Sequence, residues 1–315
     1  MGTTAAAVKL ATIDVGTNTT LLLVAEGTRR ADVRVLEERA EITRLGRGIG
    51  QQEGGPLGRE GIEATLAALR AYAAIARGHG ATIAAVGTEA LRRAPNAADF
   101  LVPAAAILGA PVEVIDGDRE ASLTFLAAAT AFPHVASGTV AVVDIGGGST
   151  EIVLAAGGTV RARTSLPLGS VRLTERHLRH DPPTDAELAA LAADLDATLA
   201  TLGPPDAGPA PVLIGTAGTV TTLAAMSLRL AGHDASLVHG VELTGAALDA
   251  EIERLRRSTQ AEREAMRGLD PRRADVILAG GYLLQALVRR LGAHTVLVSD
   301  RGIRWGLLYE RMPVA

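Results

Sequence analysis

The strongest constraint in this sequence is that it repeats itself. ATIDVGTNTTLLLVAEG, beginning at Ala11, aligns without a gap with AVVDIGGGSTEIVLAAG, beginning at Ala141, at an offset of 130 residues. Asp14 falls on Asp144, Gly16 on Gly146, Thr19 on Ser149, Thr20 on Thr150 and Gly27 on Gly157. Further along, IAAVGTEA around Gly87 meets PVLIGTAG around Gly215 at an offset of 128. Two matches in one order at nearly one spacing read as two homologous lobes. At roughly 150 residues per domain, a chain of 315 has room for both.

Each lobe opens in the same way. A short apolar run (KLATIDV or TVAVVDI) reads as a buried strand, and a Gly/Thr/Ser turn leads into a second run (TLLLVAE or TEIVLAA), giving a hairpin. VRVLEERAEI continues the first lobe as a third strand. Pro56 to Gly80 then carries a helical stripe through Leu57, Ile62, Leu66, Leu69, Ala73 and Ala76. ATIAAVGT is a strand, NAADFLVPAAAILG a helix and PVEVIDG a strand. In the second lobe Thr184 and Glu187 form a capping box before an Ala/Leu helix, and GPPDAGPAP is a loop. PVLIGT is a strand, Ala274–Leu291 a helix, HTVLVSD a strand and GIRWGLLYER a terminal helix. A three-strand meander followed by alternating helices and strands predicts α/β lobes of the ribonuclease-H-like kind. Residues 1–124 form the first lobe and 125–301 the second, with the boundary near Leu123–Ser137 and the helix at 302–315 packing back on the first.

Composition narrows the partners. A formal charge of −4 supplies no global field for nucleic acid or anionic membrane, and 2% aromatics leaves little to stack bases on. Lys9 is the only lysine, so basic chemistry rests on arginine. The absence of cysteine excludes disulfides, thiolate metal sites and thiol catalysis. No apolar run approaches the roughly 18 residues of a membrane span. The start lacks the pattern of a signal peptide, and Ala6 breaks the Gly2 myristoylation pattern. A cytoplasmic protein without membrane or nucleic-acid partners is the expectation.

The chemistry concentrates in the two repeated turns. Asp14-Val-Gly-Thr-Asn-Thr and Asp144-Ile-Gly-Gly-Gly-Ser each place a carboxylate at a strand end, followed by small residues whose backbone N–H groups can converge on an anion. A hard cation bridging that carboxylate to phosphate oxygens would complete such a site. The plainer alternative is a pair of tight hairpins with capping Asp residues; two copies, one per lobe, favour phosphate bound in an interdomain cleft. Arg92, entering after GTEA, suits bidentate phosphate recognition, and an ordinary exposed helix arginine is the equal alternative. Asp116, Asp118 and Glu120 sit where a strand gives way to a helix. From pattern alone they read as partners of a helix N-terminus; the functional reading has Glu120 facing the cleft as a general base for water.

Taken together, IDVGTNTTLLLV, ITRLGRGI, VGTEALRRAPNAADFL, VIDGDREASLTFLA, VVDIGGGSTEIVL, SLPLGSVRLTERHL, IGTAGTVTTLAAM, RGLDPRRADVILAGG and VSDRGIRWGLLYE resemble the exopolyphosphatase / guanosine-pentaphosphatase (Ppx/GppA) family, within the actin-like phosphotransferase superfamily. The resemblance runs nearly end to end. It implies a two-lobe fold with a cleft site, and Mg²⁺-dependent release of orthophosphate from the end of inorganic polyphosphate by attack of water. Other divalent cations are compatible with that implication. Glu120 resembles the family's catalytic base. Asp144 and Glu151 resemble its metal or water-orienting acids, with Asp14 a partner at the metal. Thr17, Asn18, Thr19, Gly146, Gly147, Gly148 and Ser149 resemble the phosphate loops, and Arg92 the phosphate-contacting arginine. Arg44, in ITRLGRGI, is the arginine best placed to steer a polyanion. The sequence departs from the family at Arg119, where relatives often carry an acid, and at Trp305, where they usually carry Glu. Larger relatives append a helical C-terminal domain; its absence here leads to the expectation of shorter polymer substrates and lower processivity. Dimerisation is common in the family, but no homodimer surface is legible in this sequence.

Rival readings remain. Guanosine pentaphosphate (pppGpp) hydrolysis would use the same cleft with a nucleoside pocket. An ATP-dependent kinase or ATPase of the same superfamily would use GTAGTVTT as an adenosine loop. A non-enzymatic polyphosphate sensor is disfavoured by the four acids at Asp14, Glu120, Asp144 and Glu151. His177 and His180, spaced i, i+3, read as a solvated helix end. The His180-Asp181 and His233-Asp234 dipeptides lack the further ligands of a metal site.

Overall fold

The computed structural model describes residues 7–51, 54–202, 211–232 and 234–314. The sequence-predicted loop at 203–210 and His233 lie outside them. The chain divides into two compact units. Unit 1 comprises Met1–Gly48, Glu53–Ala127 and Ile303–Ala315; unit 2 comprises Ile49–Gln52 and Ala128–Gly302.

Unit 1 begins with an antiparallel meander, β1 (Val8–Val15), β2 (Thr19–Gly27) and β3 (Arg34–Ile42). Helix α1 (Arg59–Gly78) crosses to β4 (Thr82–Gly87), which lies parallel to β1. Then come α2 (Glu89–Arg93), α3 (Ala97–Leu108), β5 (Val112–Val114) and α4 (Gly117–Ala131), and the sheet order is β3-β2-β1-β4-β5. The central strand alternates between two buried faces. Ala11, Ile13 and Val15 meet Leu69, Tyr72 and Ala73 of α1 and Phe100 of α3, while Leu10 belongs to a separate apolar cluster with Leu23 and Ala25. Helix α1 starts three residues later than the Pro56 stripe predicts. Asn96 holds Leu57 as extended chain, accepting from its N–H at 2.8 Å and donating to its carbonyl at 3.2 Å, so the helix opens only after Gly58.

Unit 2 repeats the plan. After α5 (Pro133–Ala136) come the meander β6 (Thr139–Ile145), β7 (Thr150–Ala156) and β8 (Thr159–Leu166). The β7–β8 turn uses Gly157 and Gly158, both at positive φ (59° and 73°), as a two-residue hairpin turn of this hand requires. Next are α6 (Ser170–His177), α7 (Asp185–Ala200), β9 (Val212–Thr216), α8 (Ala217–Ser227), α9 (Ala235–Val238), β10 (Glu242–Thr244), α10 (Gly245–Arg256), α11 (Gln260–Glu264), α12 (Ile277–Arg290) and β11 (Thr295–Val298). The order β8-β7-β6-β9-β11-β10 reproduces that of unit 1 and adds one antiparallel edge strand. Both units are therefore α/β and ribonuclease-H-like, as the repeat predicts.

The last helix, α13 (Ile303–Arg311), belongs to unit 1. Ile303 and Leu307 join Ala84, Val86, Ile115 and Leu123, and Trp305 packs with Leu10, Leu23, Ala25 and Tyr309. A buried tryptophan at this position thus serves as core. Thr12 donates to the Arg304 carbonyl at 2.8 Å, and Arg119 on α4 grips Glu310 through two 2.5 Å bonds. At Gly306 the helix lies against α4 with no room for a side chain: a Cβ there would lie 2.0 Å from the Leu123 carbonyl oxygen. Among the described residues no helix is long and apolar enough to cross a membrane.

Candidate active site

The two repeated turns are built alike. In the first, Gly16 N–H bonds the Thr19 carbonyl at 3.1 Å. The Thr17 carbonyl accepts from Gly46 N–H (2.8 Å), and the Asn18 carbonyl accepts from Thr43 and Arg44 (3.1 and 3.0 Å). In the second, Gly146 N–H bonds the Ser149 carbonyl at 3.0 Å. The Gly146 carbonyl accepts from Ser170 N–H (3.0 Å), and that of Gly147 from Val171 and Arg172 N–H (2.9 and 3.1 Å). The Gly148 carbonyl accepts from Arg172 Nε at 2.9 Å.

The consequence follows from peptide geometry. In a planar trans peptide the C=O of one residue and the N–H of the next point in opposite directions. Drawing the carbonyls of Thr17 and Asn18 toward the 43–46 segment turns the N–H groups of Asn18 and Thr19 the other way. Drawing those of Gly146, Gly147 and Gly148 toward the start of α6 does the same for the N–H groups of Gly147, Gly148 and Ser149. Each unit thereby presents successive N–H groups in one direction, the arrangement that binds anions. Close packing locks both turns. A Cβ on Gly46 would stand 2.4 Å from Thr17 Cγ2, and one on Gly169 would stand 2.4 Å from the carbonyl carbon and oxygen of Gly147. Arg44 holds its place at a positive φ of 52°, which L-residues rarely adopt.

The sheet of unit 2 assembles a polar row beside its turn. Asp144 on β6 is the register partner of Glu151 on β7 and of Thr216 on β9, and Glu151 is the partner of Ser165 on β8. Register partners on adjacent strands share a face with Cβ atoms about 5 Å apart. Asp144, Glu151 and Thr216 are buried, and Ser165 donates to Glu151 Oε1 at 2.7 Å. Thr216 Oγ1 is buried without a hydrogen-bond partner among the described residues. It lies about Gly302 together with Asp144 Oδ2, the two oxygens standing 3.5 and 3.7 Å from where a Cβ there would be. In unit 1, Asp14 ends β1, buried, and Asn18 Nδ2 is a buried donor without a partner among the described residues.

Glu120 lies in the first turn of α4 and is buried, while Asp116 caps that helix by accepting from Arg119 N–H at 2.8 Å. Arg92 on α2 binds Glu120 directly, Glu89 at 2.9 Å and the Ile115 carbonyl at 2.6 Å. Burial opposes the Arg92 charge, but the facing Glu120 and Glu89 outweigh it and hold its pKa above the usual guanidinium value. The arginine that the sequence marks for phosphate is thus engaged with the carboxylate marked for water. Glu89, which sequence reasoning passed over, also binds Arg93 at 2.7 Å. Its signal was present in VGTEALRR, where a glutamate precedes two arginines by three and four residues. Arg172, Thr216 and Ser165 were missed as well. So was Arg273, whose guanidinium covers Gly218 so closely that a Cβ there would lie 2.2 Å from its Nη1. Outside the candidate site, His177 bonds Asp194 at 2.7 Å and His180 bonds Glu187 at 2.9 Å.

The residues of unit 2 fit a magnesium ion. Asp144, Glu151 and Thr216 offer hard oxygens, one of them a buried hydroxyl without a partner. Among the described residues no group of three or more His, Cys, Asp or Glu side chains converges. A carboxylate pair suits Mg²⁺, which commonly takes one or two carboxylates and completes its shell with phosphate and water.

Comparison with known proteins identifies the family. Residues 23–315 match the Ppx/GppA phosphatase family. The chain is 36% identical over 316 residues to Exopolyphosphatase 2 of Mycobacterium tuberculosis, covering 95% of this chain and 97% of that one. It is 32% identical to the guanosine-5'-triphosphate,3'-diphosphate pyrophosphatase of Vibrio atlanticus, spanning 95% of this chain and 58% of that one. The crystal structure of the Aquifex aeolicus Ppx/GppA family member superposes with a TM-score of 0.80 at 34% identity, covering 97% of each chain. The chain belongs to the Ppx/GppA phosphatase family.

Proposed function

We propose that this protein is an exopolyphosphatase, hydrolysing the terminal phosphoanhydride of inorganic polyphosphate to release orthophosphate. The observation that carries the reading is the pair of turns in which the carbonyls of Thr17, Asn18, Gly146, Gly147 and Gly148 are engaged behind the loop, turning the N–H groups of the following residues to the opposite side, where phosphate oxygens can meet them. Two such turns in one chain suit a substrate with phosphate groups in series. A relative of nearly equal length that bears the exopolyphosphatase name supports the same choice.

In this reading each turn offers its N–H groups to phosphate oxygens, the first with Asn18 Nδ2 and the second with the Ser149 hydroxyl, and these donors compensate charge as the bridging bond breaks. Asp144 and Glu151 would hold Mg²⁺, which when bound would neutralise phosphate charge. Glu120 orients the attacking water and accepts its proton, which then passes to solvent. The water oxygen forms the new P–O bond, the bridging P–O bond breaks, and the shortened polymer leaves with the electron pair. Arg92 fixes Glu120 in one orientation, so the water meets a carboxylate already in place. Arg44 steers the incoming polyanion.

Phosphate release from polyphosphates of several lengths, pppGpp and ATP, with and without Mg²⁺, tests this. The expected result is Mg²⁺-dependent release, fastest from polyphosphate. Faster turnover of pppGpp would move the protein to the activity for which its Vibrio atlanticus relative is named. No release from polyphosphate would overturn the reading.

A further inference from the structure

We propose that Arg172 is a positioning residue for phosphate binding, acting through the Gly148–Ser149 peptide rather than touching the substrate; this rests on the reading of the second turn as a phosphate loop. Arg172 is the largest fully buried side chain in the described structure, at 0% exposure. Burying a guanidinium costs several kcal/mol, so its place calls for explanation. Its Nε donates to the Gly148 carbonyl at 2.9 Å, and its own backbone N–H donates to the Gly147 carbonyl at 3.1 Å. One residue therefore holds two consecutive peptides of the turn.

The geometry gives that hold a direction. The Gly148 carbonyl and the Ser149 N–H belong to the same peptide plane and point oppositely. A cation bound to the oxygen draws electron density toward it and makes the N–H on the far side a better donor, because linked hydrogen bonds polarise one another. The positive charge stays behind the turn, out of water, while its influence emerges at the amide aimed at phosphate. Hydrogen bonds with an ionised partner are also the stronger kind, so the charge both sets the peptide angle and sharpens its donor.

The neighbouring structure keeps Arg172 where this requires. Gly169, just before α6, packs against the Gly147 backbone with no room for a side chain. On the other side, Gly50 lies so close that a Cβ would stand 2.4 Å from the Arg172 carbonyl oxygen. The Gly50 N–H bonds Glu175 Oε2 at 2.8 Å, one turn further along the helix. Gly50 thus braces α6 at the level of Arg172.

The test compares wild type with Arg172→Gln and Arg172→Lys. Kinetics on polyphosphate are measured together with the ¹⁵N-amide NMR shift of Ser149 on addition of tripolyphosphate, and with thermal melting. The Gln variant is expected to lose about 10–100-fold in kcat, the scale on which supporting residues matter, and to show a reduced Ser149 response. The Lys variant keeps the charge but not the planar fork and is expected to fall between the two; it also serves should the Gln variant not fold. A residue with a merely structural role would lower the melting temperature and leave kcat, KM and the Ser149 response of the folded protein unchanged, which would overturn the proposal. If wild type binds tripolyphosphate at Ser149 and the Gln variant loses that response, but polyphosphate is not hydrolysed, the exopolyphosphatase reading fails and the role of Arg172 stands. If wild type hydrolyses polyphosphate and the variants match it throughout, the reverse holds. No Ser149 response in wild type would overturn the role of Arg172 together with the reading of the second turn as a phosphate loop, and leave the activity to be decided by phosphate release.

Discussion

The two units share a backbone but not a chemistry. In both, a meander delivers a turn whose carbonyls at corresponding positions, Thr17 and Asn18 or Gly147 and Gly148, are engaged by the segment that follows the third strand. The row of residues across each sheet differs. In unit 1 the register partners run Ala40, Leu21, Asp14, Val86; in unit 2 they run Ser165, Glu151, Asp144, Thr216. Unit 2 places oxygen ligands on three strands beside its Asp, whereas unit 1 flanks its Asp with apolar residues and brings its second carboxylate, Glu120, from a helix. On the function proposed above, the duplicated scaffold keeps its backbone hydrogen bonds while its side chains diverge, toward a metal ion in one half and an attacking water in the other.

That division of labour breaks most readily at Glu120. Glu120→Gln is expected to lower kcat by about 10²–10⁴, the usual worth of a general base, with KM little changed. Asp118→Asn, an exposed change two residues away, is the matched control and should leave both constants near wild type. Equal activity of the two variants would remove Glu120 from the reaction. The next largest effect belongs to the polar row. Glu151→Leu makes unit 2 resemble unit 1 at that register position, and metal-centred charge stabilisation of several kcal/mol translates into a loss of about 100-fold or more in kcat. Leu21→Gln, at the position in unit 1 that pairs with Asp14, should change kcat little. If the two substitutions cost alike in steady-state assays, the asymmetry of the rows has no chemical meaning.

Glycine packing offers a comparison of stability. Gly306→Ala in unit 1 would drive a methyl into the Leu123 carbonyl, and Gly169→Ala in unit 2 would drive one into Gly147. Both obstacles are backbone, so each variant is expected to lose about 1–3 kcal/mol in urea unfolding, the cost of overpacking. Gly169→Ala acts on the turn itself and should also weaken polyphosphate binding. Gly306→Ala presses on α4 one turn from Glu120 and should lower kcat more than it raises KM. A common KM effect for both would mean that the two contacts do not serve different steps.

Much of this was legible in the sequence, and what was not has a common cause. The duplicated turns and the order of elements follow from local patterns, because a turn's glycines and a strand's alternation are written in consecutive residues. Glu120 and Arg92 could each be singled out, but their mutual contact could not, since it joins α2 to α4 across 28 residues. Arg172 in GSVRLTERH reads as an ordinary helix arginine, and its burial appears only in the tertiary packing of α6. Thr216 stood in a recognised motif, yet its pairing with Asp144 depends on the register between β6 and β9. The late start of α1 is of the same kind: Asn96, nearly forty residues away, decides what Leu57 does.

The smallest expected effects lie at the helix starts, where capped and uncapped helices can be compared. In unit 2, α7, α10 and α11 begin on Thr184, Thr244 and Thr259, each accepting from a backbone N–H, and the first and last form full capping boxes. In unit 1, α1 and α3 begin on Gly58 and Asn96 with no side-chain cap. Thr184→Ala should therefore cost about 1 kcal/mol, whereas Gly58→Ser, into open space at an extended φ of −72°, should gain a few tenths of that. Acid sharpens the contrast. The Thr184 N–H, aided by His180, holds Glu187 well below its ordinary 4.5, at about 2. A carboxylate whose folded pKa is depressed stabilises fully above its unfolded value and loses that contribution as pH falls through the folded one. The stability gap between wild type and Glu187→Gln should thus be constant above about pH 5 and close as pH falls from 4.5 toward 2, while the gain from Gly58→Ser, which involves no titrating group, should persist. Urea melts at stepped pH decide it: a Glu187 gap that survives at pH 2, or a Gly58→Ser gain that vanishes there, would mean that the titrating cap at α7 and the neutral one at α1 do not differ as argued.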